Sequence, residues 1–285
     1  MASTAYNYLA IYDGVPSGAA GVILNDNFSD ISDLTLDSIQ GLHTSNGTDA
    51  SHDIDITTGA ATDSTNASVL VLSSAITKQI DASWSVGTAA GGLDTGSVTT
   101  STWYAIWLIK RSDTGVVDAL FSTSFTSPTM PTNYDYKRYI GAVLTDGSSN
   151  IYGYTQTGDT WIWDYYFDDV NDSTPTTTIT DLRTSTPPVV AEWIGEVYLQ
   201  LNGTVTRYVN IWGGDGGSTA LTGSRYVIQN LTASGTADIW QSVAPTGVYT
   251  NSSGQIRWAA SHNDFIAYLA IRTYGYTDPR GRTVN

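Results

Sequence analysis

The residues best equipped for chemistry lie together in Trp161-Ile162-Trp163-Asp164-Tyr165-Tyr166-Phe167-Asp168-Asp169. As a strand, this segment sends Trp161, Trp163, Tyr165 and Phe167 to one face and Ile162, Asp164, Tyr166 and Asp168 to the other. Sugars present apolar C–H faces that stack on exposed rings, and carboxylates accept hydrogen bonds from sugar hydroxyls. Trp161, Trp163, Asp164 and Tyr166 are therefore candidate residues of a glycan-binding platform. The competing reading puts the Trp face in a core and the Asp face in water. A glycosidase would need two carboxyl groups opposed across a bond. Asp164 with Asp168, or Glu192 with Glu196, could supply them, but such spacing equally suits a solvated sheet face.

Other chemistries lack their residues. No Ser sits in a G-x-S-x-G elbow, no Lys follows a Gly as a P-loop requires, and no His precedes a Glu as in zinc proteases. His43, His52 and His262 are scattered. Asp53-Ile54-Asp55-Ile56-Thr57-Thr58-Gly59 superficially resembles a calcium loop, but its glycine falls one place late and its alternating Ile reads as a strand. Trp212-Gly213-Gly214-Asp215-Gly216-Gly217 resembles one unit of a glycine-rich calcium repeat, which works only in stacked arrays. The absence of Cys excludes disulfides and thiolate metal sites. No catalytic residue, metal ligand or cofactor is expected.

The elements that position these residues follow from composition. Of 285 residues, 30 are Ser and 41 are Thr, and the 27 acids comprise 25 Asp and two Glu. Poverty in Glu and Lys disfavours helical folds, while Thr, Val, Ile, Tyr and Trp favour strands and Gly, Asp, Asn and Ser favour turns. A net charge of −15 argues against nucleic acid as a partner. No apolar run approaches a membrane span and no export signal is recognised at the N-terminus, so neither membrane insertion nor a signal-directed route is expected. The charge is uneven: residues 201–285 carry six Arg against four acids, whereas residues 1–100 carry 11 Asp and only Lys78.

Three hairpins are legible. Trp103 to Ile109 and Val116 to Phe121 flank Ser112-Asp113-Thr114-Gly115. Tyr139 to Thr145 turns at Asp146-Gly147 and returns through Ile151 to Thr155. Val197 to Leu201 and Thr204 to Trp212 flank Asn202-Gly203, the strongest short-range hairpin signal. Phe265 to Tyr276 is a further long strand. The pattern predicts an all-β chain of one or two β-sandwich or jelly-roll-like domains with an N-terminal arm. The expected divisions are an arm or anchor at 1–40, a β-rich domain at 41–172, a Thr/Pro-rich connection at 173–188, and a C-terminal β-sandwich at 189–285. An ordinary surface loop is the other reading of 173–188.

ASHDIDITTGAATDSTNAS (50–68), LSSAITKQIDASWSVGTAAGGLDTGSV (72–98), STWYAIWLIKRSDTGVVDALFSTSFTSPTMPTNYDYKRYIGAVLTDGS (101–148) and the closing IRTYGYTDPRGRTVN (271–285) follow one another in fixed order. Together they cover about half of the chain. In this the chain resembles structural proteins of tailed-bacteriophage and prophage virions, especially tail-fibre-like ones. The first 40 residues and the region 170–265 fall outside the resemblance, which brings no functional residue with it. It implies a virion component that is oligomeric and outward-facing. The expected function is a tail fibre or spike engaging the host surface, not an enzyme. The expected partners are further copies of itself (a homotrimer by fibre analogy), other virion proteins through residues 1–40, and a host-surface glycan. A capsid decoration or head-fibre protein is the alternative, and a polysaccharide depolymerase a third reading.

Overall fold

Strand-forming residues separated by turn formers fold as they read. The computed structural model describes residues 37–201, 207–214, 226–229, 239–264 and 266–282. Every regular element among them is a β-strand. The first seven are β1 (Ile39–Gly41), β2 (Thr44–Asn46), β3 (Asp53–Ile56), β4 (Gly59–Thr62), β5 (Val69–Leu72), β6 (Ile76–Ser83) and β7 (Ala90–Leu93). Then come β8 (Trp103–Arg111), β9 (Val117–Ser122), β10 (Tyr134–Leu144), β11 (Tyr154–Thr157), β12 (Thr160–Asp172) and β13 (Thr180–Arg183). The last six are β14 (Glu192–Leu201), β15 (Val209–Trp212), β16 (Tyr226–Gln229), β17 (Ile239–Val243), β18 (Gln255–Ala260) and β19 (Ile266–Thr277). The fold is all-β.

Four sheets make two layered units. A three-stranded sheet (β1-β4-β5) faces a seven-stranded one (β10-β8-β9-β7-β6-β3-β2). Ile39, Leu70 and Leu72 from the first and Ile54, Ile80, Ile106, Phe121 and Ile140 from the second share one core. A five-stranded sheet (β11-β12-β19-β14-β17) faces a four-stranded one (β13-β18-β15-β16). Val197, Leu199, Ile211, Ile256, Leu269 and Ile271 fill the space between them. The long strands serve both units. On β12, Trp161 and Trp163 belong to the first core while Val170 packs on the second; on β19, Tyr276 belongs to the first and Ile271 to the second. Trp161 stacks on Tyr276 with centroids 5.3 Å apart and planes 8° from parallel. Gly141, at φ +154°, leaves room for that indole, since a Cβ there would lie 3.0 Å from Trp161 Cζ2.

The hairpin of β8 and β9 forms as expected, with Lys110 opposite Val117 and Gly115 in the left-handed region. The second is shorter than expected. Thr145 bridges Ile151, Asp146 Oδ1 accepts the amides of Ser148 and Asn150, and β11 then leaves to pair with β12. The third expectation fails. β14 pairs with β17 and β19, whereas β15 pairs with β16 and β18 in the opposite sheet. The chain changes sheets between Leu201 and Val209 because each strand buries its apolar side in the same inter-sheet core, and the Asn202-Gly203 turn lies outside the described residues. So does nearly all of the expected N-terminal arm; only residues 37–40 are described. The expected calcium-like segment is instead strand β3, with Ile54 and Ile56 buried. Of the Trp212–Gly217 run only its first three residues are described.

The expected divisions shift accordingly. Strand β12, placed with the first domain, pairs along its length with β19 in the five-stranded sheet. The Thr/Pro-rich 173–188 segment is more than a connection: it contributes β13, paired with β18, and buries Thr184 and Thr186. It carries the chain from one sheet of the sandwich to the other and back.

Removing the indole of Trp161 should lower unfolding free energy by about 3–5 kcal/mol in Trp161→Ala. Its buried Nε1–H has no hydrogen-bond partner. Trp161→Phe, which deletes that unpaired donor, should therefore cost clearly less; denaturant titration followed by circular dichroism checks both.

Candidate functional site

The strand that carries the expected platform does not alternate strictly. Between the pairs Ile162–Gly275 and Phe167–Thr273 the chain advances five residues on β12 against two on β19. Within this bulge Tyr165 leaves the side that Trp161, Trp163 and Phe167 share, while Ile162, Asp164, Tyr166 and Asp168 keep the exposed side. Trp161 and Trp163 are in the core, 1% and 6% exposed, so neither ring is available for stacking on a ligand. Burial of large apolar area outweighs exposure for both indoles, and Trp163 also donates Nε1–H to the Ser185 carbonyl at 3.1 Å. The two tryptophans are thus removed from the platform. Tyr165, assigned by alternation to the Trp face, is 85% exposed, and Tyr166 is 49% exposed. Asp164 is exposed beside Gly153, where a Cβ would come within 2.1 Å of its Oδ2.

What gathers around Tyr166 instead is a cross-strand array on the outer face of the five-stranded sheet. Arg272 of β19 stands opposite Asp168 of β12 and Glu196 of β14. Its Nε donates to Asp168 Oδ1 at 2.8 Å and its Nη1 to Glu196 Oε1 at 3.2 Å. The guanidinium lies 4.7 Å from the Tyr166 ring centroid and 5.3 Å from that of Tyr198. Tyr274 meets Tyr166 edge-on at 5.9 Å, and Tyr268 meets Tyr198 at 5.8 Å. Partial burial pulls the Arg272 pKa down, but hydrogen bonds to Asp168 and Glu196 outweigh it and hold the charge firmly. Desolvation, reinforced by a hydrogen bond with Glu196, pushes Tyr274 up to about 12, so it stays a protonated donor.

Sequence pairing of carboxylates was misleading here. Asp168 works with Glu196, 28 positions away, not with Asp164; Glu192 instead accepts the Gly247 amide at 2.8 Å. Arg272, Tyr198, Tyr268 and Tyr274 escaped the sequence reading. Their only sequence signal was the polar side of the alternating strands β14 and β19. Beneath the face, Trp193 Nε1–H donates to Thr273 Oγ1 at 2.6 Å, Thr273 donates to Asp169, and Ser185 donates to the same carboxylate at 2.7 Å. This buried chain fixes β12, β14 and β19 in register. The resulting surface is an open sheet face, which can adsorb a ligand through rings, a fixed cation and its carboxylates. Among the described residues no group of three or more His, Asp or Glu could hold a metal ion.

A second titratable cluster lies at the end of the chain. Asp278 is buried; it accepts from Tyr139 Oη at 2.6 Å and from the Arg280 amide at 2.8 Å. Burial, partly offset by those bonds, pushes its pKa up to about 6. It borders a cavity of about 470 Å³ with Trp107, Phe125, Val189 and Arg282. A shifted carboxyl in a cavity can mark a functional site, but here every partner is structural. Arg280 donates to Asp159 at 2.9 Å and to the Gly41 carbonyl at 2.9 Å, clasping the chain end to the first unit.

No protein-family model matches this chain, and no curated protein matches it closely enough in sequence to count as a relative.

Asp278 gives a pH prediction. Its pKa rises from an ordinary 3.8 to about 6 on folding, so the folded chain keeps a proton that the unfolded chain releases. Its contribution is complete below about pH 4 and is lost as pH rises through about 6. Asp278→Asn should remove that loss. The Tm difference, variant minus wild type, should grow between about pH 4 and pH 7 in calorimetry; a constant difference contradicts the assignment.

Proposed function

We propose that the chain is a structural protein of a bacteriophage virion, a tail-fibre or spike component that attaches to saccharide on the host surface. The observation that carries this reading is the Tyr166, Tyr198, Tyr268 and Tyr274 array around Arg272, with the exposed ring of Tyr165 next along the same strand. Exposed rings meet the C–H faces of sugars, and the Arg–carboxylate cluster offers donors and acceptors to their hydroxyls. An open face suits an extended polymer that is gripped and not cut. The resemblance of 50–148 and 271–285 to virion proteins supports the same reading. Repetition raises weak contacts to useful avidity, which is what a homotrimer on a particle would supply. Val69 and Val71, exposed on the edge strand β5, suit contact with a neighbouring subunit.

Two ring contacts at about 0.5–1.5 kcal/mol each correspond to roughly tenfold in affinity. On an array of bacterial surface polysaccharides, the double variant Tyr165→Ala/Tyr166→Ala should bind its best glycan at least about tenfold more weakly than the wild type. Undiminished binding by the variant, or no glycan bound by the wild type, contradicts the proposal.

A further inference from the structure

A second site lies on the other unit. Trp84, Val86, Arg111, Val116, Pro131, Thr132 and Tyr134 line a cavity of about 470 Å³, within the size range of small-ligand sites. Its floor is aromatic: Trp84 and Tyr134 meet edge to face at 5.2 Å and 77°. Its rim is apolar and open, with Val86 62% and Val116 41% exposed. Tyr134 is only 4% exposed, yet its hydroxyl has no hydrogen-bond partner. A buried hydroxyl left unpaired costs about 1–3 kcal/mol, so a native fold that keeps one at a cavity wall points to an occupant that pairs it.

The surrounding charges narrow the occupant's chemistry. Arg111 lies 5.8 Å over the Tyr134 ring and gives Nε and Nη2 to Asp113 at 2.8 and 2.6 Å. Its charge is thereby balanced. Behind Trp84, Lys78 and Asp118 form a buried ion pair at 3.3 Å, and the Lys78 ammonium sits 5.5 Å from the indole centroid. Burial and the nearby Asp118 hold the Tyr134 phenol protonated. The pocket thus offers an apolar ring-stacking floor and a hydroxyl able to donate and accept, beside a guanidinium already neutralised by Asp113. Two carboxylates nearby, on a chain of net charge −15, disfavour an anion. We infer that this pocket binds a single neutral hexopyranose residue, its C–H face on Trp84 and the valine rim and one hydroxyl paired with Tyr134 Oη. The site is separate from the sheet face, and each can fail without the other.

The test is NMR titration of the full ¹⁵N-labelled chain with methyl glycosides of glucose, galactose, mannose and N-acetylglucosamine, and with methyl glucuronide as the charged counterpart. The expected result is a saturable shift of the Trp84 indole N–H with at least one neutral glycoside and none with the glucuronide. Tyr134→Phe should weaken that binding about tenfold. Val86→Arg, a change at an exposed rim position, should abolish it while leaving the rest of the spectrum intact. The Tyr165→Ala/Tyr166→Ala variant should bind these glycosides in the pocket as the wild type does. No saturable shift with any neutral glycoside, stronger binding of the glucuronide, or shifts that survive Val86→Arg would each overturn the inference.

Discussion

The architecture depends on one strand meeting two cores. β19 is hydrogen-bonded to β12 on one side and β14 on the other. Its Leu269 and Ile271 fill the C-terminal sandwich, while Tyr276 reaches the first unit and stacks on Trp161. Immediately afterwards Asp278 and Arg280 bind Tyr139, Asp159 and the Gly41 carbonyl. The two units are therefore joined by backbone ladder, aromatic stacking and buried polar bonds. That junction makes the outer face of the five-stranded sheet a fixed surface, and a fixed surface pays little ordering entropy when it binds.

The charge asymmetry along the chain has a structural meaning. Four of the six arginines beyond residue 200 pair with acids from the preceding third: Arg257 with Asp181, Arg272 with Asp168 and Glu196, and Arg280 and Arg282 with Asp159. Exposed pairs of this kind add about 0–1 kcal/mol each, so their role is to set register more than stability. The Arg280 pair, nearly buried on the arginine side, has the larger part in closing the chain end.

Local patterns were legible where local physics decides. Alternation gave β19 and the β8–β9 hairpin, and composition gave the all-β class. The partner of β14 was not legible, because Asn202-Gly203 signals a tight turn but cannot say which sheet receives the next strand; burial of Ile211 in the inter-sheet core decided that. At the candidate site the alternation put Trp161, Trp163 and Phe167 on the core side and Ile162, Asp164, Tyr166 and Asp168 on the exposed side, as the structure has them, and misplaced only Tyr165. The bulge after Ile162 puts Tyr165 into solvent, and no local signal in the segment marks it, since a register shift is defined only against the partner strand β19. Arg272 was invisible as a site residue because its partners are distant in sequence, 76 positions for Glu196 and 104 for Asp168.

Native-state hydrogen exchange along β19 tests the central claim that this strand binds both units into one cooperative body. The amides from Leu269 to Tyr276 should be among the slowest in the chain and should open with one common free energy, shared with their partners on β12 and β14. If the Leu269–Ile271 half exchanges through a separate, lower-energy opening with the C-terminal sandwich while the Thr273–Tyr276 half stays protected, the two units are independent and the account is wrong.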